Sequence, residues 1–196
     1  MVKFKHTLEV AKILGAKNIR MFSFYIPKDK NPDDYKTEVF ERIAVLLDEA
    51  EKYGIRLCHE NEKGIFGDNA ERCSELHKKF PKLAGIFDPA NFVQCGVDTA
   101  KAWQMLKPYI CYMHIKDAKS NGMVVPAGKG DGNLKTIVTD FIKSGGCNFT
   151  IEPHLAVFDG FKNLENGEEA NEFMYENNAV AFDTACNTFK EILKGE

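Results

Sequence analysis

The chain has 196 residues, enough for one domain with a substantial buried core. Its 44% hydrophobic and 28% charged residues fit an ordinary globular protein. The net charge of −3 offers no support for binding a nucleic-acid backbone, and no run of about eighteen apolar residues is present to span a membrane.

Phe4, Leu8, Ala11 and Leu14 recur at helical spacing, with Gly15 as a stop. Ile19 to Tyr25 is a short apolar and aromatic run of strand type. Pro32, Asp33 and Asp34 open a second helix, because acidic groups suit the positive end of the helix dipole. Its buried stripe is Val39, Ile43, Leu46, Ala50 and Tyr53; Gly54 ends it, and a strand from Ile55 to Glu60 follows. Asp68 starts a helix bearing Cys73, Leu76 and Phe80, before a strand from Leu83 to Asp88. Asp98 starts another, with Ala102 and Leu106 inward, before the strand Ile110 to Lys116. A glycine-rich loop from Asn121 to Gly132 lacks phosphate-loop spacing and reads as a flexible functional loop. Then come a helix with Leu134, Ile137, Val138 and Phe141, a strand from Phe149 to Glu152, and a closing helix from Asn178 to Leu193. Ala181, Ala185, Phe189 and Ile192 share one face of that last helix.

Five strands separated by single helices, at intervals of roughly 26 to 38 residues, predict right-handed βαβ units and a parallel sheet. A doubly wound open sheet and part of a (β/α)8 barrel both satisfy this pattern. No glycine fingerprint for a dinucleotide follows the first strand. The six cysteines are scattered, with no C-x-x-C pair, and read as reduced thiols. Met1 to His6 carries no apolar signal core, so the expected location is the cytoplasm.

Side chains alternate across a strand, so residues two apart share a face. By that rule Cys58, Glu60 and Glu62 share one face of the second strand, and Ala84, Ile86 and Asp88 one of the third. The fourth gives Tyr112, His114 and Lys116, and the fifth Thr150, Glu152 and His154. Each set reaches an ionisable group at the carboxyl end, where parallel α/β folds place their chemistry. A cluster of three carboxylates repels itself unless a cation sits among them. Glu60, Asp88, His114 and Glu152 are therefore candidate ligands for one divalent ion: Mn2+, Mg2+, Co2+ or Zn2+. His59 points to the opposite face and reads as packed.

The segments CHENEKGIFGD (58–68), GIFDPANF (85–92), YMHIKDA (112–118) and TIEPHL (150–155) resemble the sugar phosphate isomerase/epimerase family. That family lies within the xylose isomerase-like barrel superfamily, beside type IV apurinic endonucleases and inosose dehydratases. The resemblance implies an α/β chain of (β/α)8 TIM-barrel type, incomplete, with strands four to eight and a closing helix in a single domain over residues 1–196. It also implies Glu60, Asp88, His114 and Glu152 as the metal ligands. Glu60 and Glu152 become the catalytic pair, moving a proton through a metal-stabilised enediolate. Lys116 and Asp117 complete the family's H-x-K-D run as candidates for orienting substrate, and Glu62 and His154 are further candidate contacts. Asn91 stands where related epimerases often carry a histidine that touches substrate.

The implied activity is isomerisation or epimerisation of a sugar or sugar phosphate. The alternative is a non-catalytic or truncated barrel remnant that binds metal or a sugar-like ligand. An inosose-type dehydratase is a lesser alternative, and so is an apurinic endonuclease, which needs more histidines than these five. Against the family pattern the first three β/α units are missing. The exposed flank and unpaired edge predict a homo-oligomer. The expected partner is otherwise a small sugar, with no nucleic acid and no membrane.

Overall fold

The computed structural model describes residues 1–155, 173 and 175–195. In chain order the elements are α1 (Val2–Ile13), β1 (Asn18–Met21), α2 (Lys36–Glu51), β2 (Arg56–Glu60), α3 (Ala70–Lys79) and β3 (Ala84–Phe87). They continue with α4 (Pro89–Gln94), α5 (Thr99–Leu106), β4 (Ile110–Ile115), β5 (Asp117–Ala118) and β6 (Val124–Val125). Last come α6 (Leu134–Lys143), β7 (Phe149–Ile151) and α7 (Asn178–Lys194). The sheet has five strands in the order β1-β2-β3-β4-β7, and β5 and β6 form a small antiparallel pair. The pairs β1–β2, β2–β3 and β4–β7 are parallel.

The chain divides into two compact units, Met1–Phe87 with Ala102–Cys111, and Asp88–Lys101 with Tyr112–Glu196. In the first, Leu8, Val39, Ile43, Leu57, Phe66 and Leu76 belong to one apolar core. An Asn31 side chain accepting from Asp33 N–H opens the 3-10 turn Pro32–Tyr35, which feeds α2. Asn69 caps α3 by accepting from Arg72 N–H, one residue after the expected start at Asp68. Four of the five residues of β2 are buried, as in a strand covered on both faces.

The first strand is shorter than its apolar run predicts. It ends at Met21, and Phe24 takes a left-handed conformation with φ of 69°. The chain turns there, so Tyr25 forms only an isolated bridge with Ile65.

Two buried histidines lie in this unit. His59 Nε2 and Ser23 Oγ share a 2.9 Å hydrogen bond, and Gly67 N–H donates to the same oxygen at 2.8 Å. A Cβ on Gly67 would come within 2.5 Å of the His59 ring, so only glycine allows this approach. His77 donates from Nδ1 to the Leu83 carbonyl at 3.0 Å and stacks on Tyr109 at 4.9 Å between ring centroids. Burial, with His77 nearby, pushes the His59 imidazole down to about 3, and burial lowers His77 as well. Both rings are neutral in the fold, whereas the unfolded chain protonates them below a pH of about 6.5. Their contribution is complete above that value and is lost as pH falls toward the folded value. At pH 5 the loss from His59 alone is about 2 kcal/mol. Urea unfolding at pH 7.5 and pH 5 checks this: the wild type should lose stability at the lower pH, and His59→Gln should show a smaller difference.

In the second unit α6 buries Leu134, Ile137, Val138 and Phe141, and α7 buries Ala181, Ala185, Phe189 and Ile192, the predicted faces. Asn177 caps α7 by accepting from Val180 N–H, and Gly195 ends it at a φ of 84°. The helix α4 falls in a stretch the sequence pattern leaves without an element. Asp88 caps it.

Candidate metal centre

The second unit brings three of the four predicted ligands together. His114 lies near the carboxyl end of β4, and Asp88 at the N-terminus of α4. Glu152 follows β7, where its backbone N–H still bonds the Ile115 carbonyl at 3.2 Å. His114 Nδ1 is 3.5 Å from Glu152 Oε1 and 3.8 Å from Asp88 Oδ2. A donor atom from each of the three lies within 4.8 Å of the others. The Asp88 and His114 side chains are buried, and that of Glu152 is 24% exposed.

The charge balance around Asp88 follows from its neighbours. Its Oδ1 accepts from Asn91 N–H at 2.9 Å, and Lys116 Nζ lies 3.4 Å from Oδ2. Lys116 also donates to Asn91 Oδ1 at 2.7 Å. Burial pushes the Asp88 carboxyl up, but the Lys116 ammonium, His114 and the Asn91 N–H together hold it below its ordinary value. Asp88 is thus a carboxylate at neutral pH, the form a cation needs.

The trio fits a divalent ion on geometry. With ligand bonds of about 2.1 Å, donor separations of 3.5 and 3.8 Å close at angles of roughly 110 to 130° around one centre. Oxygen donors with one imidazole suit ions from magnesium to zinc.

Glu60 ends β2 in the first unit and is buried. Its Oε2 accepts from Arg20 at 2.8 Å. Arg20 pairs in register with Cys58, two residues before Glu60, so it faces the same side of the sheet. In the sequence the only sign of Arg20 is a cation inside the apolar run IRMFSFY. Glu60 pairs with Ile86, two residues before Asp88, which keeps the register that the alternation rule predicts.

The remaining candidates divide. Asn91 and Lys116 are buried beside Asp88, as described. Glu62 and His154 are half-buried in the loops after β2 and β7. Glu62 accepts from Lys63 N–H at 2.7 Å, and His154 has a positive φ of 46°. Asp117 is wholly buried, and its two oxygens accept from four backbone N–H groups. Oδ1 serves Ala118 and Gly132, both at 2.9 Å; Oδ2 serves Gly128 at 2.9 Å and Gly130 at 3.0 Å. Burial raises its carboxyl despite these donors. The glycine-rich loop is therefore pinned by Asp117. His59, placed on the opposite face, is packed in the core as expected.

A family model described as the xylose isomerase-like TIM barrel matches residues 2–176. No curated protein matches the chain. Among solved structures, the IolI protein with a bound zinc atom is similar at a TM-score of 0.75 and 18% identity, over 99% of this chain and 69% of that one. A D-psicose 3-epimerase from Clostridium cellulolyticum H10, with D-tagatose, is similar at 0.71 and 14% identity, over 98% and 69%. A xylose isomerase-like TIM barrel protein from Mycobacterium smegmatis, in complex with magnesium, is similar at 0.69 and 14%, over 97% and 66%. Identities this low establish the fold: five parallel strands of TIM-barrel type, in a chain spanning about two thirds of those proteins' length. None of the described helices is long and apolar enough to cross a membrane.

Proposed function

Because the chain belongs to the xylose isomerase-like TIM barrel family, we propose that it binds one divalent ion through Glu60, Asp88, His114 and Glu152 and isomerises or epimerises a sugar or sugar phosphate. The observation that carries this reading is the Asp88–His114–Glu152 trio at the ends of parallel strands, with donor spacings suited to one cation. Zinc and magnesium in two similar structures support the same class of ion. The ion would polarise the carbonyl and adjacent hydroxyl of a bound sugar, making the neighbouring carbon more acidic.

The protein's own part is proton transfer. Glu60 and Glu152 act as the base and acid on the carbon beside the carbonyl, with Arg20 orienting Glu60 from 2.8 Å. Asn91 presents its amide to a substrate hydroxyl, fixed in orientation by the Lys116 bond to its oxygen. Lys116, Glu62, His154 and Asp117 complete the proposed substrate surroundings, Asp117 by shaping the loop it pins. The epimerase with D-tagatose among the similar structures favours a ketose as the first substrate to try.

The test is deuterium exchange, followed by proton NMR, with a panel of ketohexoses and their phosphates in heavy water containing MnCl2. Exchange at the carbon beside the carbonyl should appear, stop with EDTA, and fall by at least ~100-fold in Glu152→Gln. Unchanged exchange in that variant contradicts the assignment. A second reading is a metal-binding remnant without turnover. It predicts manganese binding with no exchange on any substrate.

The homo-oligomer belongs to the same proposal. Val2, Ile13 and Leu14 of the first helix and the residue after it are 85%, 83% and 76% exposed, an apolar face that a second copy would cover. Sedimentation should show a dimer; a monodisperse monomer removes this part.

A further inference from the structure

Cys58 in β2 and Cys111 in β4 bring their sulfurs to 3.4 Å. The strand β3 lies between them in the sheet, and its residue opposite Cys58 is Ala84. A single methyl there leaves room for the two thiols to meet above it. Cys58 is buried and Cys111 half-buried, so a reagent meets the pair from the Cys111 side.

Two strand spacings of about 4.8 Å put the two backbones roughly 9 to 10 Å apart. A disulfide bridges about 7 Å at most between Cα atoms, so direct oxidation would require the strands to move. An atom placed between the sulfurs needs no such movement. With bonds to sulfur of about 2.3 Å, the 3.4 Å separation closes at an angle of roughly 95°. A tetrahedral ion would want sulfurs about 3.8 Å apart. The angle, narrower than tetrahedral, instead suits a pyramidal centre carrying a lone pair.

We propose that Cys58 and Cys111 form a dithiol site for trivalent arsenicals. With an organoarsine oxide, the arsenic–oxygen bond breaks and two arsenic–sulfur bonds form. Both thiol protons leave with the oxygen as water. Arsenic stays trivalent and no sulfur is oxidised, so no further reactant is needed. The arsenical chemistry does not depend on the proposed sugar chemistry. Because Cys58 shares a strand face with Glu60, two residues along, an occupied site would crowd that carboxylate.

The full chain treated with one equivalent of phenylarsine oxide should take up a single phenylarsenic group, seen by native mass spectrometry. Alkylation of the denatured adduct should then spare two of the six cysteines, and peptide mapping should identify them as Cys58 and Cys111. Cys58→Ala and Cys111→Ala should each lose at least ten-fold in affinity for the arsenical. Mapping to any other pair overturns the proposal even if a variant fails to fold. Ready formation of a Cys58–Cys111 disulfide with diamide overturns the geometric argument behind it.

Discussion

Asp88→Ala is expected to abolish manganese binding and to cost the metal-free protein about 4 kcal/mol of stability. The two losses have separate causes. Asp88 Oδ1 caps α4 through Asn91 N–H, and a lost cap costs about 1 kcal/mol. Its Oδ2 lies 3.4 Å from Lys116, whose side chain is only 5% exposed, and removing a buried counter-charge adds about 3 kcal/mol. Asp88→Asn keeps an oxygen for the cap and should lose only the charge-dependent part. Adding Lys116→Met to Asp88→Ala removes the buried cation and should restore at least ~2 kcal/mol without restoring the metal. Urea unfolding at pH 7.5 reads stability, and calorimetric titration with MnCl2 reads binding. Manganese affinity within ten-fold of wild type in Asp88→Ala would place the ion elsewhere and remove the basis for the proposed function.

Asp88 also marks where the sequence was legible. Strand alternation found Asp88, His114 and Glu152 because parallel strands with covered faces must place their ionisable residues at the ends. The amphipathic stripes of α6 and α7 were equally legible, since four buried residues at helical spacing in each leave little choice of face. α4 was not legible. Six residues, Pro89–Gln94, are too few to show a period, and the Asp-Pro start carries the signal instead.

The end of β1 is hidden from the sequence for a different reason. Every residue of Ile19 to Tyr25 favours a strand or tolerates one, and only tertiary contacts turn the chain at Phe24. Likewise, no local pattern reports that Arg20 reaches Glu60, forty residues away. The glycine-rich loop looks flexible in the sequence because its composition has no period. Its order comes from one buried carboxylate 11 to 15 residues upstream of the glycines it holds.

That carboxylate supports the other large effect. Asp117→Ala should lower stability by about 5 kcal/mol and release the loop over residues 119–132. Four backbone donors lose a charged acceptor, each such bond being worth about 1.5 to 3 kcal/mol, offset by water reaching the exposed Gly128. Asp117→Asn keeps one oxygen and its two bonds, so it should lose about half as much. The cradle allows no added side chain: a Cβ on Gly132 would sit 2.6 Å from Asp117 Oδ1, and one on Gly130 would sit 2.5 Å from the Ala118 carbonyl. Gly130→Ala should therefore reproduce the loss while leaving the carboxylate in place, which separates loop order from charge. Hydrogen exchange supplies the direct reading, since the Gly128, Gly130 and Gly132 amides should lose protection together in Asp117→Ala. Protection unchanged in that variant would show that the loop holds itself in place and that Asp117 is only enclosed by it.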